Sequence, residues 1–140
     1  MPNPFVEEIA GKLGDATGIP AGELADLIEV PPDPEMGDYA LPCFTMAKTL
    51  RKAPNLIAAE LAEKVVPEGR LTEVRATGPY LNFFVSKGAL AEETLKEVLA
   101  QGADYGKSEI GSGRTIVIDF SHPNIAKPFG IHHLRSTVIG

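Results

Sequence analysis

The sequence predicts an α+β domain followed by the first strand and helix of a second domain built on a parallel sheet. Helical patterns and a hairpin pattern occupy residues 1–112 without the regular strand–helix alternation of a parallel sheet. Residues 115–140 instead contain an uninterrupted β-branched run, a polar turn and a helix start. Helices packed on a small antiparallel sheet are therefore expected over residues 1–112, and a strand–turn–helix unit over 113–140.

The first part of the chain shows helical spacing interrupted by glycine and proline. Apolar residues recur every three or four positions over residues 3–17, and an Asn-Pro pair begins that helix. A short helix over 20–25 and a short strand over 27–30 should follow, and two prolines end the strand. The stretch PPDPEMGDYALP, residues 31–42, contains turn-forming residues throughout.

Two further helices and a hairpin come next. Residues 39–52 can form a helix with Pro42 in its first turn, and residues 53–66 form another that also has a proline near its start. Residues 71–76 and 80–85 flank a Thr-Gly-Pro turn. This pattern predicts a two-stranded hairpin with alternating faces.

An amphipathic helix and a connecting loop follow the hairpin. Ser86 is a helix cap, and leucine and valine residues lie at helical spacing from there to Gly102. The stretch GKSEIGSGR, residues 106–114, is rich in glycine and serine but has no Gly-Lys-Ser/Thr at its end. It is therefore predicted to connect one domain over residues 1–112 to a second over 113–140.

Residues 115–140 predict a buried strand, a polar turn and the opening of a helix. The run 116–118 is entirely β-branched, which is typical of a parallel strand covered on both faces. Open α/β sheets place their ligands at the carboxyl ends of such strands, and the polar residues found there are Asp119, Ser121, His122 and Asn124. The start of a helix over 130–140 is suited to nucleotide phosphates, with possible help from Lys127, His132 and His133.

This segment resembles the signature of the class I arginyl-tRNA synthetases. In that family a strand ending in an acidic residue leads through Ser-x-Pro-Asn-x-x-Lys-Pro to a helix start with His-x-Gly-His-Leu-Arg-Ser-Thr. The matching positions here are Asp119, Ser121, Pro123, Asn124, Lys127, Pro128, His133, Leu134, Arg135, Ser136 and Thr137. The resemblance implies that residues 113–140 begin a Rossmann-type catalytic domain.

The resemblance also implies roles for individual side chains. Asp119, Ser121 and Asn124 would hold arginine, since a carboxylate such as that of Asp119 can bind a guanidinium through two parallel hydrogen bonds. The alternative for Asp119 is a structural carboxylate beside the helix. ATP is implied as a substrate, accompanied by Mg²⁺, with no tightly bound cofactor. The residues that would border ATP are Gly130, His132 and His133, and those implied in catalysis are His133 and Lys127.

Two signature positions depart from the family pattern. The first histidine of the family falls on Gly130, and its glycine falls on His132. In the family that histidine is a phosphate ligand, and the glycine lets the adenine ring approach the backbone. Losing one charge-assisted hydrogen bond costs about 1.5–3 kcal/mol. Either His132 compensates for the missing ligand or the site is weakened, and His132 could also be a tolerated surface residue.

The preceding domain resembles the additional amino-terminal domain of the same family, which meets the D-loop at the corner of tRNA. The similar stretches are GDYA at 37–40, Ala47-Lys48, Pro54 with Ile57-Ala58, and TGPYLNFFV at 77–85. By resemblance, the positions that contact the D-loop are Thr77, Tyr80 and Asn82. A tyrosine can stack on an unpaired base, and an asparagine can bond a base edge. Tyr80 could equally be a half-buried packing residue.

The charge balance favours a local contact with RNA over a broad one. The chain has 13 basic and 19 acidic residues, and residues 1–112 contain 10 basic against 18 acidic, a net charge of −8. Nucleic-acid binders usually have the opposite balance. The densest basic cluster, at spacings that share one helix face, is Lys48, Arg51 and Lys52. It indicates either an RNA contact or a solvated helix end.

No metal site, disulfide or membrane segment is predicted. Cys43 is the only cysteine, and with His122, His132 and His133 it would make a poor zinc set, because adjacent histidines cannot easily share one tetrahedral geometry. No run is long and apolar enough to cross a membrane, and no secretory signal is present. A cytoplasmic protein is expected.

The two resemblances together imply the amino-terminal piece of an enzyme of this family, which activates arginine with ATP and transfers it to tRNA(Arg). One strand and one helix cannot form the crevice that holds ligands in open α/β sheets, so the 140-residue chain alone is expected to be inactive. A stand-alone tRNA-binding module and an inactive paralogue stay open as alternatives. Residues 113–140 are expected to be disordered or paired between copies, because a lone apolar strand exposes its edge.

Overall fold

The computed structural model describes residues 3–121 and 128–140, which divide into two compact units. The first unit is Met1–Gly102 and the second is Ala103–Gly140. The predicted boundary between 112 and 113 stays a prediction. Two of the predicted site residues, Asn124 and Lys127, lie outside the described residues, as does His122.

The first helix confirms the prediction for residues 3–17. Helix α1 spans Pro4–Thr17, and the Asn3 side chain accepts a hydrogen bond from the Phe5 N–H at 3.0 Å. Gly18 ends the helix in the left-handed conformation, which an L side chain adopts only at a cost. One face of α1 packs into the core through Phe5, Ile9, Ala10 and Leu13.

The next segment is less regular than predicted. Helix α2, Ala21–Ala25, confirms the short helix, and a 3₁₀ turn spans Pro34–Met36. The strand predicted over 27–30 is wrong, since only Glu29 forms an isolated antiparallel bridge, with Ala40. The two prolines that follow remove backbone donors and so prevent the ladder from extending.

Residues 39–52 differ most from the prediction of a single helix. They form strand β1, Tyr39–Pro42, then a 3₁₀ turn, Cys43–Met46, and the short helix α3, Ala47–Leu50. The prediction of turn structure throughout residues 31–42 is also wrong for β1. The strand forms because it pairs with a partner far along the chain, which outweighs local helix preference.

The entry to β1 depends on a glycine. Gly37 has φ 108°, and a Cβ placed there would lie 2.8 Å from the Phe83 carbonyl oxygen. Only glycine allows this close approach. Next to it, the Asp38 carboxylate accepts a hydrogen bond from the Val85 N–H at 2.9 Å, which fixes the register of β1 against the hairpin.

The predicted helix over 53–66 and the predicted hairpin are both present. Helix α4 spans Pro54–Lys64. Strands β2, Leu71–Thr77, and β3, Tyr80–Val85, pair antiparallel with a bulge between Leu71 and Glu73. Because β1 pairs with the other edge of β3, the sheet has three strands in the order β1-β3-β2. The hairpin was predicted without this third strand.

The core lies between the inner face of the sheet and helices α1 and α4. Residues of β3 with odd numbers face this core and are fully or nearly fully buried: Leu81, Phe83 and Val85. Directly paired residues share a face of a sheet, so the outer face carries Tyr80, Asn82 and Phe84 beside their partners on β1 and β2. Asn82 is also buried, so burial along β3 does not alternate as the prediction of alternating faces requires.

Helix α5, Lys87–Gln101, confirms the predicted amphipathic helix in position but not in burial. The Ser86 hydroxyl accepts a hydrogen bond from the Ala89 N–H at 3.4 Å. Arg70, which precedes β2, bonds Glu8 of α1 at 3.1 Å and Glu93 of α5 at 3.2 Å. Three leucines of this helix stay exposed: Leu90, Leu95 and Leu99.

The second unit contains helix α6, Ile131–Ile139, which confirms the predicted helix over 130–140. The strand predicted over 116–118 is absent, and its three apolar side chains are exposed, Val117 by 89%. No strand occurs elsewhere in residues 103–121 or 128–140 to satisfy its backbone groups. Across the described chain, no helix is long and apolar enough to cross a membrane.

Candidate nucleic-acid interface

The hairpin turn places two predicted RNA-contacting residues side by side. Thr77 ends β2, Tyr80 begins β3, and the two are directly paired across the strands. Between them Gly78 adopts φ 57°, which allows the tight turn before Pro79. Thr77 is exposed and Tyr80 is half-buried, so both reach solvent at one end of the sheet.

Asn82 lies beneath this pair and is only 2% exposed. Its side-chain NH₂ donates a hydrogen bond to the Thr77 hydroxyl at 3.1 Å. The same-face prediction for Tyr80 and Asn82 is confirmed by the register. In this position Asn82 orients Thr77, while Thr77 and Tyr80 supply the exposed groups.

Phe44 completes an aromatic pair that sequence analysis missed. Its ring meets Tyr80 edge-on, with centroids 5.9 Å apart and planes at 90°, and the side chain is 51% exposed. The Cys43 N–H donates to the Pro79 carbonyl oxygen at 2.9 Å, which fastens the start of the 3₁₀ turn to the hairpin. The signal was an aromatic residue two positions after the end of β1, which the predicted helix over 39–52 concealed.

The three residues of the predicted basic cluster do not share one helix face. Lys48 lies in α3, Arg51 follows the helix in a left-handed conformation, and Lys52 lies beyond it. The Lys52 ammonium binds both carboxylate oxygens of Glu60, at 2.7 and 2.6 Å, and this hydrogen bond lowers the pKa of Glu60 below its ordinary value. Within the described chain Lys48 and Arg51 have no carboxylate partner, so they are the available cations.

At the far end of the outer sheet face, the aromatic ring and the arginine both have partners within the protein. The Arg75 guanidinium lies 4.6 Å from the centroid of the Phe84 ring and bonds Glu73 at 2.8 Å. This arrangement covers one aromatic ring and pairs one cation. The aromatic ring at the opposite end of this face, that of Tyr80, contacts Phe44 instead.

In the second unit, one predicted arginine-binding residue contacts helix α6, which carries the signature histidines. The Asp119 carboxylate accepts a hydrogen bond from the Ser121 N–H at 3.1 Å. The hydroxyl oxygens of Ser121 and of Thr137 in α6 are 3.4 Å apart, within hydrogen-bond distance. These contacts place Ser121 beside α6 and Asp119 next to Ser121. The third predicted residue, Asn124, is outside the described residues, as is Lys127.

The signature histidines lie at the start of α6. Nδ1 of His133 accepts a hydrogen bond from the Gly130 N–H at 2.9 Å. A neutral His133 therefore carries its proton on Nε2, where it can be donated outward. The centroids of the His132 and His133 rings are 3.9 Å apart. The His132 ring also lies over Gly130, where a Cβ would be only 2.7 Å from His132 Cε1.

No group of three or more metal-ligating side chains occurs within residues 3–121 and 128–140. Cys43 is fully buried, and burial raises the pKa of its thiol to about 11. A protonated, inaccessible thiol is a core group, so Cys43 packs in the core.

Comparison with known proteins follows the division of the chain. Residues 5–85 match the family model for the arginyl tRNA synthetase N-terminal domain. Residues 94–140 match the model for the catalytic domain of the class I (R) tRNA synthetases. Both models describe parts of a class I aminoacyl-tRNA synthetase.

Relatives of known identity agree with these matches. The arginine–tRNA ligase of Clostridioides difficile is 55% identical over 118 residues, 84% of this chain and 21% of that protein. That of Clostridium perfringens is 50% identical over 132 residues, 94% of this chain and 23% of that protein. The chain belongs to the arginyl-tRNA synthetase family, which confirms the resemblance found in the sequence. It spans about a fifth of the length of the curated relatives it matches.

A solved structure supports the same fold. The arginyl-tRNA synthetase of Thermus thermophilus is similar with a TM-score of 0.53 and 32% identity, over 68% of this chain and 16% of that one. The small antiparallel sheet with its surrounding helices is therefore an architecture shared with that enzyme.

Proposed function

We propose that residues 1–112 bind the corner of tRNA(Arg) and that residues 113–140 begin the catalytic domain of an arginine–tRNA ligase. The observation that carries the tRNA-binding proposal is the grouping of Thr77, Tyr80 and Phe44 at the hairpin end of the sheet, followed along the chain by Lys48 and Arg51, in a domain of net charge −8. Stacking surfaces and local cations are what unpaired RNA bases and their phosphates require.

The hairpin end supplies three complementary groups. Tyr80 offers a ring for stacking, and the Thr77 hydroxyl, held by Asn82, can bond a base edge or a ribose hydroxyl. Lys48 and Arg51 can neutralise neighbouring phosphates. In this arrangement Asn82 is a positioning residue, since its own NH₂ is engaged with Thr77.

Titration of a tRNA(Arg) transcript with the 140-residue chain tests this proposal. Tyr80→Ala should weaken binding about 5- to 150-fold, because stacking is worth about 1–3 kcal/mol per base. Tyr80→Phe should retain most of the affinity. Tyr105→Ala removes another partly exposed tyrosine, from the second unit, and serves as the matched control. Equal affinities for all four proteins would refute the tRNA-binding role.

For the second unit we propose binding of arginine and of ATP, the latter as a substrate accompanied by Mg²⁺. Asp119, Ser121 and Asn124 would hold arginine. Lys127, Gly130, His132 and His133 would border ATP, with Lys127 and His133 acting on the phosphates. The outward Nε2–H of His133 is supported by the hydrogen bond at Nδ1. The position of the His132 ring over Gly130 supports compensation for the missing signature histidine.

The altered signature can be tested in a complete enzyme. Residues 115–132 of this chain would replace the matching segment of the Clostridium perfringens ligase, and arginine-dependent ATP–pyrophosphate exchange would be measured with tRNA present. If His132 compensates, the graft keeps activity and His132→Ala loses roughly 10- to 100-fold. A graft that is inactive, or indifferent to His132→Ala, would favour the inactive paralogue.

The 140-residue chain itself is proposed to be catalytically silent. In residues 103–121 and 128–140 no strand is present to build the crevice in which α/β enzymes hold their ligands. Pyrophosphate exchange dependent on arginine and tRNA should therefore be undetectable. Any turnover above that of a His133→Ala control would overturn this proposal. A stand-alone tRNA-binding module acting in the cytoplasm would show the same silence together with tight tRNA binding.

We also propose that copies of the chain associate through residues 115–140. The exposed run of Ile116, Val117 and Ile118 favours it, because apolar β-branched segments pair readily with other chains. Sedimentation velocity should show a mass that rises with concentration for the natural sequence and a monomer for Val117→Lys. A concentration-independent monomer for both would contradict self-association.

A further inference from the structure

Helix α5 turns its apolar side away from the first unit. A surface helix normally packs its apolar stripe on the core and exposes its polar residues. In α5, whose residues are all within the described chain, none is buried, and Leu95 and Leu99 are 61% and 81% exposed. We propose that the remainder of a class I catalytic domain packs on the outer stripe of α5, which consists of Ala91, Leu95, Val98 and Leu99.

The inner side of α5 is largely polar and borders a cavity. This cavity, of about 590 Å³, lies between α5 and the starts of α1 and β1. The α5 residues that line it at helical spacing include Leu90, Glu93, Thr94 and Glu97. Because each residue turns a helix by about 100°, Leu95 and Leu99 lie on the opposite side from Glu93 and Glu97. The outer stripe therefore contributes nothing to the packing of the first unit.

Arg70 fixes the side of α5 that faces inward. Its guanidinium bonds Glu93 of α5 at 3.2 Å and Glu8 of α1 at 3.1 Å, and its backbone N–H donates to the same Glu8 carboxylate at 3.1 Å. At the start of the helix, the Ser86 hydroxyl provides the cap and Ala89 packs against the core. A rotation of α5 that turned its outer stripe inward would break the ion pair with Arg70, so the stripe stays directed outward.

The comparisons point to the partner that covers the stripe. The family model for the N-terminal domain ends at residue 85, and the model for the catalytic domain begins at residue 94, so Leu95, Val98 and Leu99 lie within the catalytic match. The matched stretch is about a fifth of the length of the ligases, and the rest of their length lies outside it. This inference rests on the proposal above that residues 113–140 begin a catalytic domain.

The chemistry of the stripe favours a protein surface as its partner. Exposed apolar stripes mark protein contacts, because burying them removes apolar area from water. Beside the stripe, the Lys96 ammonium bonds the Glu92 carboxylate at 2.7 Å within the helix. An apolar surface can therefore pack on Leu95 and Leu99 without separating this pair of charges.

Hydrogen exchange of the α5 amides tests this docking in two proteins. One is the 140-residue chain, and the other is a complete enzyme in which residues 1–140 replace the matching stretch of the Clostridium perfringens ligase. Exchange over residues 90–101 should be at least about 10-fold slower in the complete enzyme. The double substitution Leu95→Gln with Leu99→Gln should abolish this difference and leave exchange in the 140-residue chain unchanged. Leu56→Gln, at a leucine of α4 that is 60% exposed, is the matched control and should change neither protein.

Equal exchange in the two proteins, or slow exchange that survives the double substitution, would overturn the docking. Exchange in the 140-residue chain that slows with rising concentration would also overturn it, because a second copy would then cover the stripe. Arginylation of tRNA(Arg) by the complete enzyme separates this inference from the function on which it rests. An active enzyme with fast exchange in α5 refutes the docking alone. An inactive enzyme with slow exchange refutes the proposed catalytic role alone, and an inactive enzyme with fast exchange refutes both.

Discussion

The two units of this chain specify their structures in different ways. The first unit buries a contiguous core, in which Leu13, Leu41 and Phe83 are inaccessible to solvent. Within residues 103–121 and 128–140 no side chain reaches that degree of burial, although this unit carries the longer family signature. Packing determines the first unit, whereas the second is recognisable by its sequence signature. A highly specific sequence motif therefore does not imply a self-sufficient fold.

The largest test of this difference is the removal of one buried ring. Phe83→Ala should lower the free energy of unfolding of the first unit by about 3–5 kcal/mol, because Phe83 is fully buried on the inner face of β3. Val117→Ala should lower the free energy of unfolding of the second unit by less than about 0.5 kcal/mol. Urea denaturation followed by circular dichroism measures both. Similar effects of the two substitutions would show that the second unit is packed as tightly as the first.

The reactivity of the buried thiol gives a second test, in which the labelling rate is expected to differ about 100-fold between the folded and the unfolded chain. Burial raises the pKa of Cys43 from its ordinary 9.0 to about 11, so its thiolate fraction near pH 8 is about 100-fold lower than in the unfolded chain. An aromatic disulfide reagent should label Cys43 at least about 100-fold more slowly before than after denaturation. A chain with Ser112→Cys should add a fast phase, since position 112 is exposed in the second unit. A single fast phase would indicate that the first unit opens freely.

Much of the first unit could be predicted because its elements are specified locally. Helix α1 has an asparagine cap, a proline at its start and apolar spacing, and α4 has a proline at its start and apolar spacing. The hairpin has a clear turn. Strand β1 could not be found this way, since its partner β3 lies about forty residues later. Missing β1 also concealed Phe44, whose exposure depends on the strand ending at Pro42. Residues 116–118 show the opposite error, because β-branched residues predict a strand without a partner to pair with it.

The candidate site residues also divide into those that the sequence identifies and those whose role depends on tertiary contacts. Thr77 and Tyr80 were found through the family pattern, and in the structure Thr77 is exposed and Tyr80 is half-buried. The burial of Asn82 and the pairing of Lys52 with Glu60 depend on three-dimensional neighbours that no local pattern reports. The sequence identifies residue types, while tertiary contacts decide which of them are available to a ligand.

Availability of the cations provides a third, smaller test. Lys48→Ala should remove about one phosphate contact. The slope of the logarithm of tRNA affinity against the logarithm of salt concentration should then become shallower by about 0.7–0.9. Lys52→Ala should leave the slope unchanged, because Glu60 already neutralises that ammonium. Glu60→Gln frees Lys52 and should steepen the slope. Equal slopes for Lys48→Ala and Lys52→Ala would show that the ion pair does not determine which cation meets RNA.

The smallest expected effect concerns pH and the ion pairs that link distant parts of the first unit. Lys12 of α1 binds Glu68 at 2.9 Å across 56 positions of sequence, whereas the ion pair of Lys107 with Asp104 in the second unit is local. Hydrogen bonding to Lys12 lowers the pKa of Glu68 below its ordinary 4.5. The stabilisation is therefore complete above about pH 4.5 and is lost as pH falls through the lowered folded-state pKa.

Thermal unfolding at a series of pH values between 7 and 3 measures this contribution. The natural sequence should lose melting temperature on acidification, and Glu68→Gln should lose less, because it has no carboxylate to protonate at that position. Glu63→Gln is the matched control, since Glu63 is exposed on α4 and has no ion pair within the described residues. Glu68 is exposed, so the difference should be small and should shrink further in high salt. A salt-independent difference would mean that Glu68 acts through packing, and the link between α1 and the segment before β2 would then be apolar.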